Sequence, residues 1–239
     1  MKWCEEYRVD SHDVDFNGIA RASALMHFMQ ESANGQCRSF GPTLESLKEE
    51  KGWTFLLSRF SAGFYDAIFP YDELKVETWG VESRGFSFLR CYRIWRGDAV
   101  VTEATAVWAL VDIESRRPVR VTEYHPGFGY DEMLTLDTPA RIVFPAATPV
   151  RLVGEHTIGY GEIDRNMHLN NTRYSDMLCN TLDMKDKRIY RMSLNFLNEA
   201  RLGDTVNIYA AQQGENTYFR SLRSDGKVNV EAQLVLGEI

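Results

Sequence analysis

The stretch "DVDFNGIARASALMHFMQES" (residues 13–32) and the stretch "EIDRNMHLNNTRYSDMLCNT" (residues 162–181) carry one pattern at a spacing of 149 residues. Asp15 falls on Asp164 and Asn17 on Asn166, residue types that close turns by bonding their own backbone. Downstream, Leu25, Phe28 and Met29 fall on Tyr174, Met177 and Leu178. Positions three and four apart share a helical face, so each turn leads into a helix with one apolar stripe. The repeat continues into strand-like segments. "YDELKVETW" resembles "GDTVNIYAA" with Asp72 over Asp204 at a spacing of 132, and "EATAV" resembles "EAQLV" with Glu103 over Glu231 at 128.

Matched turn, helix stripe and strands in one order mark a duplicated unit, not a solenoid, which needs three or more short repeats. The change from 149 to 132 puts 17 extra residues in the first copy, in a longer helix and loop around "ESANGQCRSFGPTLESLKEEKGW". After each helix come β-branched and aromatic runs. In the first copy these are "FLLSRFSAGFYDAIF", "ELKVETWGVES", "FSFLRCYRIWR" and "AVVTEATAVWALVDI"; in the second, "IYRMSLNFLNEA", "TVNIYAAQQG", "TYFRSLRS" and "VNVEAQLVLG". The expected class is α+β, each unit a helix against an antiparallel sheet. The expected division is residues 1–125, a connector at 126–149, and 150–239. Pro118, Pro126, Pro139, Pro145 and Pro149 break the segment between the units.

Composition narrows the functional classes. Apolar residues make up 44% of the chain, enough for a packed core. With 34 acidic against 27 basic residues the net charge is −7, which disfavours nonspecific attraction to nucleic acid or anionic lipid. No apolar run approaches the ~20 residues needed to span a bilayer, and "MKWCEEYRVD" carries no leader pattern. Cys4, Cys37, Cys91 and Cys179 are scattered with no C-x-x-C pair, which fits a reducing cytoplasm and argues against zinc and disulfides. The histidines show no H-x-x-x-H or H-x-H spacing, so no metal is expected, and the absence of a Gly-rich phosphate loop removes the usual sign of a nucleotide cofactor.

The duplication also works as an internal control. His168 replaces Ile19 of the first copy, and Glu199, read as a strand position, replaces Ala67. The second copy alone gathers Asp164, Asn166, His168 and Glu199. An imidazole titrates near neutrality and can take a proton from water, a carboxylate can orient it or share the load, and an amide can hold a carbonyl. A helix starting near Asn170 would aim free N–H groups at the same turn, where an oxyanion could develop. Cys179 lies eleven residues beyond His168, about 16 Å along a helix, too far to be activated as a nucleophile.

These residues resemble the acyl-acyl carrier protein thioesterases, enzymes with two hotdog units in one chain. "EIDRNMHLNNTRYSDML" is similar to the family's D-x-N-x-H-x-N-N-x-x-Y segment, and "MSLNFLNEARLGD" to its strand ending in glutamate. The resemblance implies a tandem hotdog fold, Asp164, Asn166, His168 and Glu199 as the catalytic set, and a fatty acyl chain on acyl carrier protein as substrate. Ala200 stands where a cysteine often follows the glutamate, which favours activated water over a thiol. The resemblance also implies an acyl chain in or beside the first unit. Leu25, Met26, Met29, Phe55 and Leu57 are the lining candidates by position, with Asn170 and Asn171 near the thioester. Carrier docking would need a local basic patch such as Arg116, Arg117 and Arg120, or Arg173, Lys185, Lys187 and Arg188. A homodimer is compatible with the sequence. Hydrolysis of acyl-coenzyme A by a hotdog enzyme, and acyl binding without turnover, are the alternatives these residues leave open.

Overall fold

Two strands from opposite halves of the sequence join the molecule into one sheet. In the computed structural model, which describes residues 1–136, 141–145 and 148–239, β2 (Trp53–Phe64) runs antiparallel to β7 (Lys187–Phe196). Ser61 pairs with Ser193, their hydroxyls 3.0 Å apart, while Arg59 pairs with Asn195 and Gly63 with Arg191. Ser193 is the repeat counterpart of Ser61 at the spacing of 132, so this pair marks a pseudo-twofold axis.

Each half builds outward from that axis in the same order. The first half adds β1 (Trp3–Arg8), β3 (Glu73–Val81), β4 (Ser87–Arg96) and β5 (Ala99–Asp112). The second adds β6 (Arg151–Thr157), β8 (Thr205–Gln213), β9 (Asn216–Arg223) and β10 (Val228–Glu238). The ten-stranded sheet runs β1-β3-β4-β5-β2-β7-β10-β9-β8-β6. A cross-strand ion pair is repeated as well: Arg93 Nε donates to Glu103 at 2.8 Å between β4 and β5, and Arg220 Nε to Glu231 at 2.9 Å between β9 and β10.

The helices lie against the sheet through the stripes seen in the sequence. Helix α1 (Ala22–Phe40, 19 residues) buries Leu25, Phe28 and Met29. A short turn α2 (Leu44–Ser46) follows, and α3 (Arg173–Cys179, 7 residues) buries Tyr174, Met177 and Leu178 in the second half. Each such side chain contributes roughly 1.5–3 kcal/mol on leaving water. The first helix is the longer one, as the extra residues of the first copy require. Among the described residues no helix is long and apolar enough to cross a membrane.

Several boundaries differ from the sequence reading. β2 ends at Phe64 and β7 at Phe196, not at 69 and 200, so Glu199 sits in the loop after β7. The N–H groups of Leu197 and Asn198 both donate to the Asn229 carbonyl, at 2.9 and 3.1 Å, which lifts the chain off the ladder to β2. Helix α3 begins at Arg173, three residues later than expected.

The connector crosses the end of α1 at a backbone-to-backbone contact. Gly127 has φ 77°, and a Cβ there would lie 1.9 Å from the Phe40 carbonyl oxygen; a Cβ on Gly41 would meet the Pro126 oxygen at the same distance. Only glycine fits this crossing. Beyond it, the Asp131 N–H donates to the Gly80 carbonyl at 3.0 Å, and Trp79 Nε1 to the Glu132 carbonyl at 2.7 Å, pinning the segment to the β3 edge. Pro139 lies outside the described residues.

Candidate active site

The two turns share one scaffold. Asp164 Oδ1 accepts the N–H groups of Asn166 at 2.8 Å and His168 at 3.3 Å, and Asp15 Oδ1 accepts those of Asn17 and Ile19 at the same distances. The carboxylate at this position is therefore a turn former in both halves. Gly18 has φ 74°, and Met167 at the matching position keeps the left-handed conformation with φ 64°. A side chain held there costs about 1–2 kcal/mol.

The amides diverge. Asn17 Nδ2 donates to the carbonyls of Met184 (2.7 Å) and Lys187 (3.1 Å), and its Oδ1 accepts the Asp186 N–H at 3.2 Å, strapping the first turn to the loop before β7. Asn166 is exposed, and its Nδ2 reaches only Asp164 Oδ2, at a long 3.4 Å. Freed from the structural task, it can meet a ligand.

His168 Nε2 lies 3.1 Å from Glu199 Oε2, with the side chains 22% and 33% exposed, so the pair is held yet open to water. The turn is tied to the glutamate's loop by a bridge between His168 and Arg201 and by the Leu169 N–H donating to the Ala200 carbonyl at 2.8 Å. Two residues that the sequence reading did not single out for the site hold that loop from behind. Arg223 Nη1 donates to the Glu199 carbonyl at 2.5 Å. Asn229 Nδ2 donates to the Tyr174 hydroxyl at 2.8 Å and to the Asn198 carbonyl. Asn229 is fully buried, and an amide inside "VNVEAQLVL" was the one local sign of such a task.

Two of the N–H groups at the helix start, those of Thr172 and Arg173, are already taken by Asn170. Asn170 Oδ1 accepts the Thr172 N–H and hydroxyl, both at 3.0 Å, and its carbonyl accepts the Arg173 N–H at 2.9 Å. Those donors are satisfied within the turn, and Asn170 is a turn former ahead of the Thr172 N-cap. Asn171 is half-buried beside it.

Two cavities flank this region, and neither contains His168 or Glu199. One of about 440 Å³ is the pseudo-symmetric counterpart of the catalytic turn, lined by Asp15, Ile19, Leu25, Cys179 and Arg188 among others. Burial pushes the Cys179 thiol up to about 12, so it holds its proton at neutral pH. The second cavity, about 120 Å³, lies in the first half, with Ala33, Cys37, Phe55, Phe88, Arg90 and Trp108 in its walls and Phe128 and Tyr130 from the connector. Ala33 and Cys37 lie on the part of α1 beyond Gln30, the position matching Cys179 at the end of α3. The extra helical residues of the first copy therefore wall this cavity.

Of the sequence-named lining residues, Phe55 reaches the second cavity and Leu25 the first. Met26 and Met29 are fully buried in the core, and Leu57 is 6% exposed there. One observation connects the second cavity to the catalytic turn. Arg165 pairs with Glu45 at 2.5 Å, next to Leu44 of the cavity wall. Among the described residues no three His, Cys, Asp or Glu side chains gather as a metal site.

A helix clasped by an antiparallel sheet, doubled about a local axis, is the tandem hotdog fold. Residues 1–125 match the acyl-ACP thioesterase N-terminal domain and residues 150–235 the acyl-ACP thioesterase C-terminal domain, so the chain belongs to the acyl-ACP thioesterase family. It is similar to the chloroplastic palmitoyl-acyl carrier protein thioesterase of Gossypium hirsutum, 21% identical over 253 residues that cover 100% of this chain and 58% of that protein. The chain thus spans less than two thirds of that relative's length. It is 28% identical over 112 residues to the acyl-CoA thioesterase YbgC of Haemophilus influenzae, covering 47% of this chain and 82% of that one. A crystal structure of an acyl-ACP thioesterase from Bacteroides thetaiotaomicron shares the fold, with a TM-score of 0.89, 21% identity, and coverage of 99% of this chain and 98% of that one.

Proposed function

We propose that the protein hydrolyses the thioester of a fatty acyl chain carried on acyl carrier protein, releasing the free acid. The observation that carries this reading is the His168–Glu199 pair at 3.1 Å, present in only one of two otherwise matched turns. In this reading residues 1–125 supply the acyl-chain side, 126–149 connect, and 150–239 carry the catalytic groups. The acyl tail enters the second cavity past Phe55, while Asn166 donates to the thioester carbonyl.

Water beside the His168–Glu199 pair attacks the carbonyl carbon as the pair takes its proton. The tetrahedral intermediate collapses by breaking the carbon–sulfur bond. The thiol leaves with a proton returned by the pair, and the carboxylic acid remains. Asp164 shapes the turn and so aims His168 and Asn166, and no protein thiol takes part.

Carrier choice is tested by measuring free thiol release from one acyl group presented on acyl carrier protein and on coenzyme A. A higher kcat/KM on the carrier protein is expected. Equal or better use of coenzyme A would favour the second reading, which the similarity to the acyl-CoA thioesterase over half the chain supports, and no release from either would end both.

Thiol chemistry is separable by alkylation. With Cys37, which walls the second cavity, replaced by Ala, iodoacetamide at pH 8 is expected to leave turnover unchanged, because the cysteine nearest in sequence to the His168 turn, Cys179, stays protonated and lines the other cavity. Parallel loss of activity and of one free thiol would refute the water mechanism.

A further inference from the structure

Arg90 occupies a position that the strand pattern reserves for apolar residues. On β4 it alternates with Phe88, Tyr92 and Ile94, whose side chains pack into the cores of the first half. A guanidinium on a core-facing position is uncommon unless it is paired. Arg90 Nη1 donates to Gln36 Oε1 at 2.7 Å and to Thr78 Oγ1 at 3.0 Å, and the group lies 5.4 Å from the Phe128 ring centroid. These partners are neutral, and among the described residues Arg90 has no carboxylate in ion-pair contact. The repeated ion pair aligns Arg93 with Arg220, which puts Thr217 at the Arg90 position of the second half. The cation is confined to the half with the walled cavity.

We infer that the second cavity takes an acyl chain bearing a carboxylate at its far end, with Arg90 as the residue that selects it. Arg90 pairs with Ala106, and Ala106 with Phe60. It therefore stands two strands from β2 and, since Phe55 pairs with Leu110, four positions along from Phe55, roughly 10 Å across and roughly 13 Å along the sheet. β4 lies three strands from β7, whose following loop carries Glu199, roughly 14 Å across the sheet, so Arg90 faces the end of the chain remote from the thioester, not the phosphate of the carrier's arm. Among the described residues the Nε and Nη2 donors of Arg90 have no protein acceptor, a geometry that suits a two-oxygen anion. The apolar walls from Phe55, Phe88 and Trp108 suit the methylenes between.

This rests on the second cavity being the acyl site proposed above, and binding separates the two readings, since thiol release tests hydrolysis and stable amides test selection. Octanamide and suberamic acid, which differ only in the terminal carboxylate, are titrated against the protein by calorimetry. The acid is expected to bind roughly tenfold or more tightly than the amide. Arg90→Met should erase that ratio while leaving octanamide affinity within about twofold, which also shows that the variant folds. Arg90→Gln, which keeps a partner for Gln36 and Thr78, serves if the methionine variant does not fold. Equal affinities, a preference for octanamide, no binding of either, or a ratio that survives loss of Arg90 would each overturn the inference.

Discussion

His168→Ala lowers kcat on acyl-carrier thioester by about 10²–10⁴-fold, the range for removing a positioned general base, and Glu199→Ala does the same. Both variants should unfold at the wild-type denaturant concentration. The imidazole's side-chain partner is Glu199, both groups are partly exposed, and the turn is held by Asp164 and backbone bonds that the substitutions leave in place. Asp164→Ala is the contrasting variant: it removes the acceptor for two backbone N–H groups, so stability falls by about 1–2 kcal/mol together with activity. Asp15→Ala makes the same structural loss in the other turn and should cost similar stability with far less activity. Wild-type hydrolysis by the His168 and Glu199 variants would refute the assignment of the pair, and equal activity losses at Asp15 and Asp164 would show that the halves are not functionally distinct.

Gly127→Ala destabilises the fold by about 3 kcal/mol, read as a shift in the urea midpoint. Part is the left-handed backbone at φ 77°, worth about 1–2 kcal/mol. The rest is a Cβ placed 1.9 Å from the Phe40 carbonyl oxygen, a backbone atom that cannot rotate away. The connector must lift, taking Phe128 and Tyr130 off the second cavity, so KM rises for a long acyl chain and stays flat for an acetyl thioester. Two controls separate these contributions. Gly18 has φ 74° with nothing within 4 Å of a built Cβ, so Gly18→Ala pays the backbone cost alone. Gly129→Ala, whose Cβ would meet only the Met1 nitrogen at 4.0 Å, should be close to neutral. A neutral Gly127→Ala, or a KM change independent of chain length, would show that the crossing does not shape the cavity.

Much of this architecture was legible because duplication makes local signals self-checking. The Asp15/Asp164 and Asn17/Asn166 matches, with one helix stripe at one spacing, gave the repeat, and their failure to extend to Ile19/His168 and Ala67/Glu199 gave the reactive half. The end of β7 was not legible, because Asn229 of β10, a distant part of the chain, accepts the N–H groups of Leu197 and Asn198 on its backbone carbonyl and donates its side-chain amide to the Asn198 carbonyl. The start of α3 was misread because Asn170 takes up the donors that a helix end would otherwise present. Arg90 was read as an ordinary member of a strand, since one position of a period-two pattern does not say which sheet face holds a cavity.

Sequence alone determined that one helix-and-sheet unit occurs twice and that the later copy bears the titratable pair, because residue type and spacing survive as text. Tertiary structure decided that the two units share a single sheet through Ser61 and Ser193, and that Arg165 in the turn of one unit pairs with Glu45 beside the cavity of the other. The physical reason is that strand register and helix overhang are settled by pairing and packing between segments more than a hundred residues apart, where local propensity carries no information.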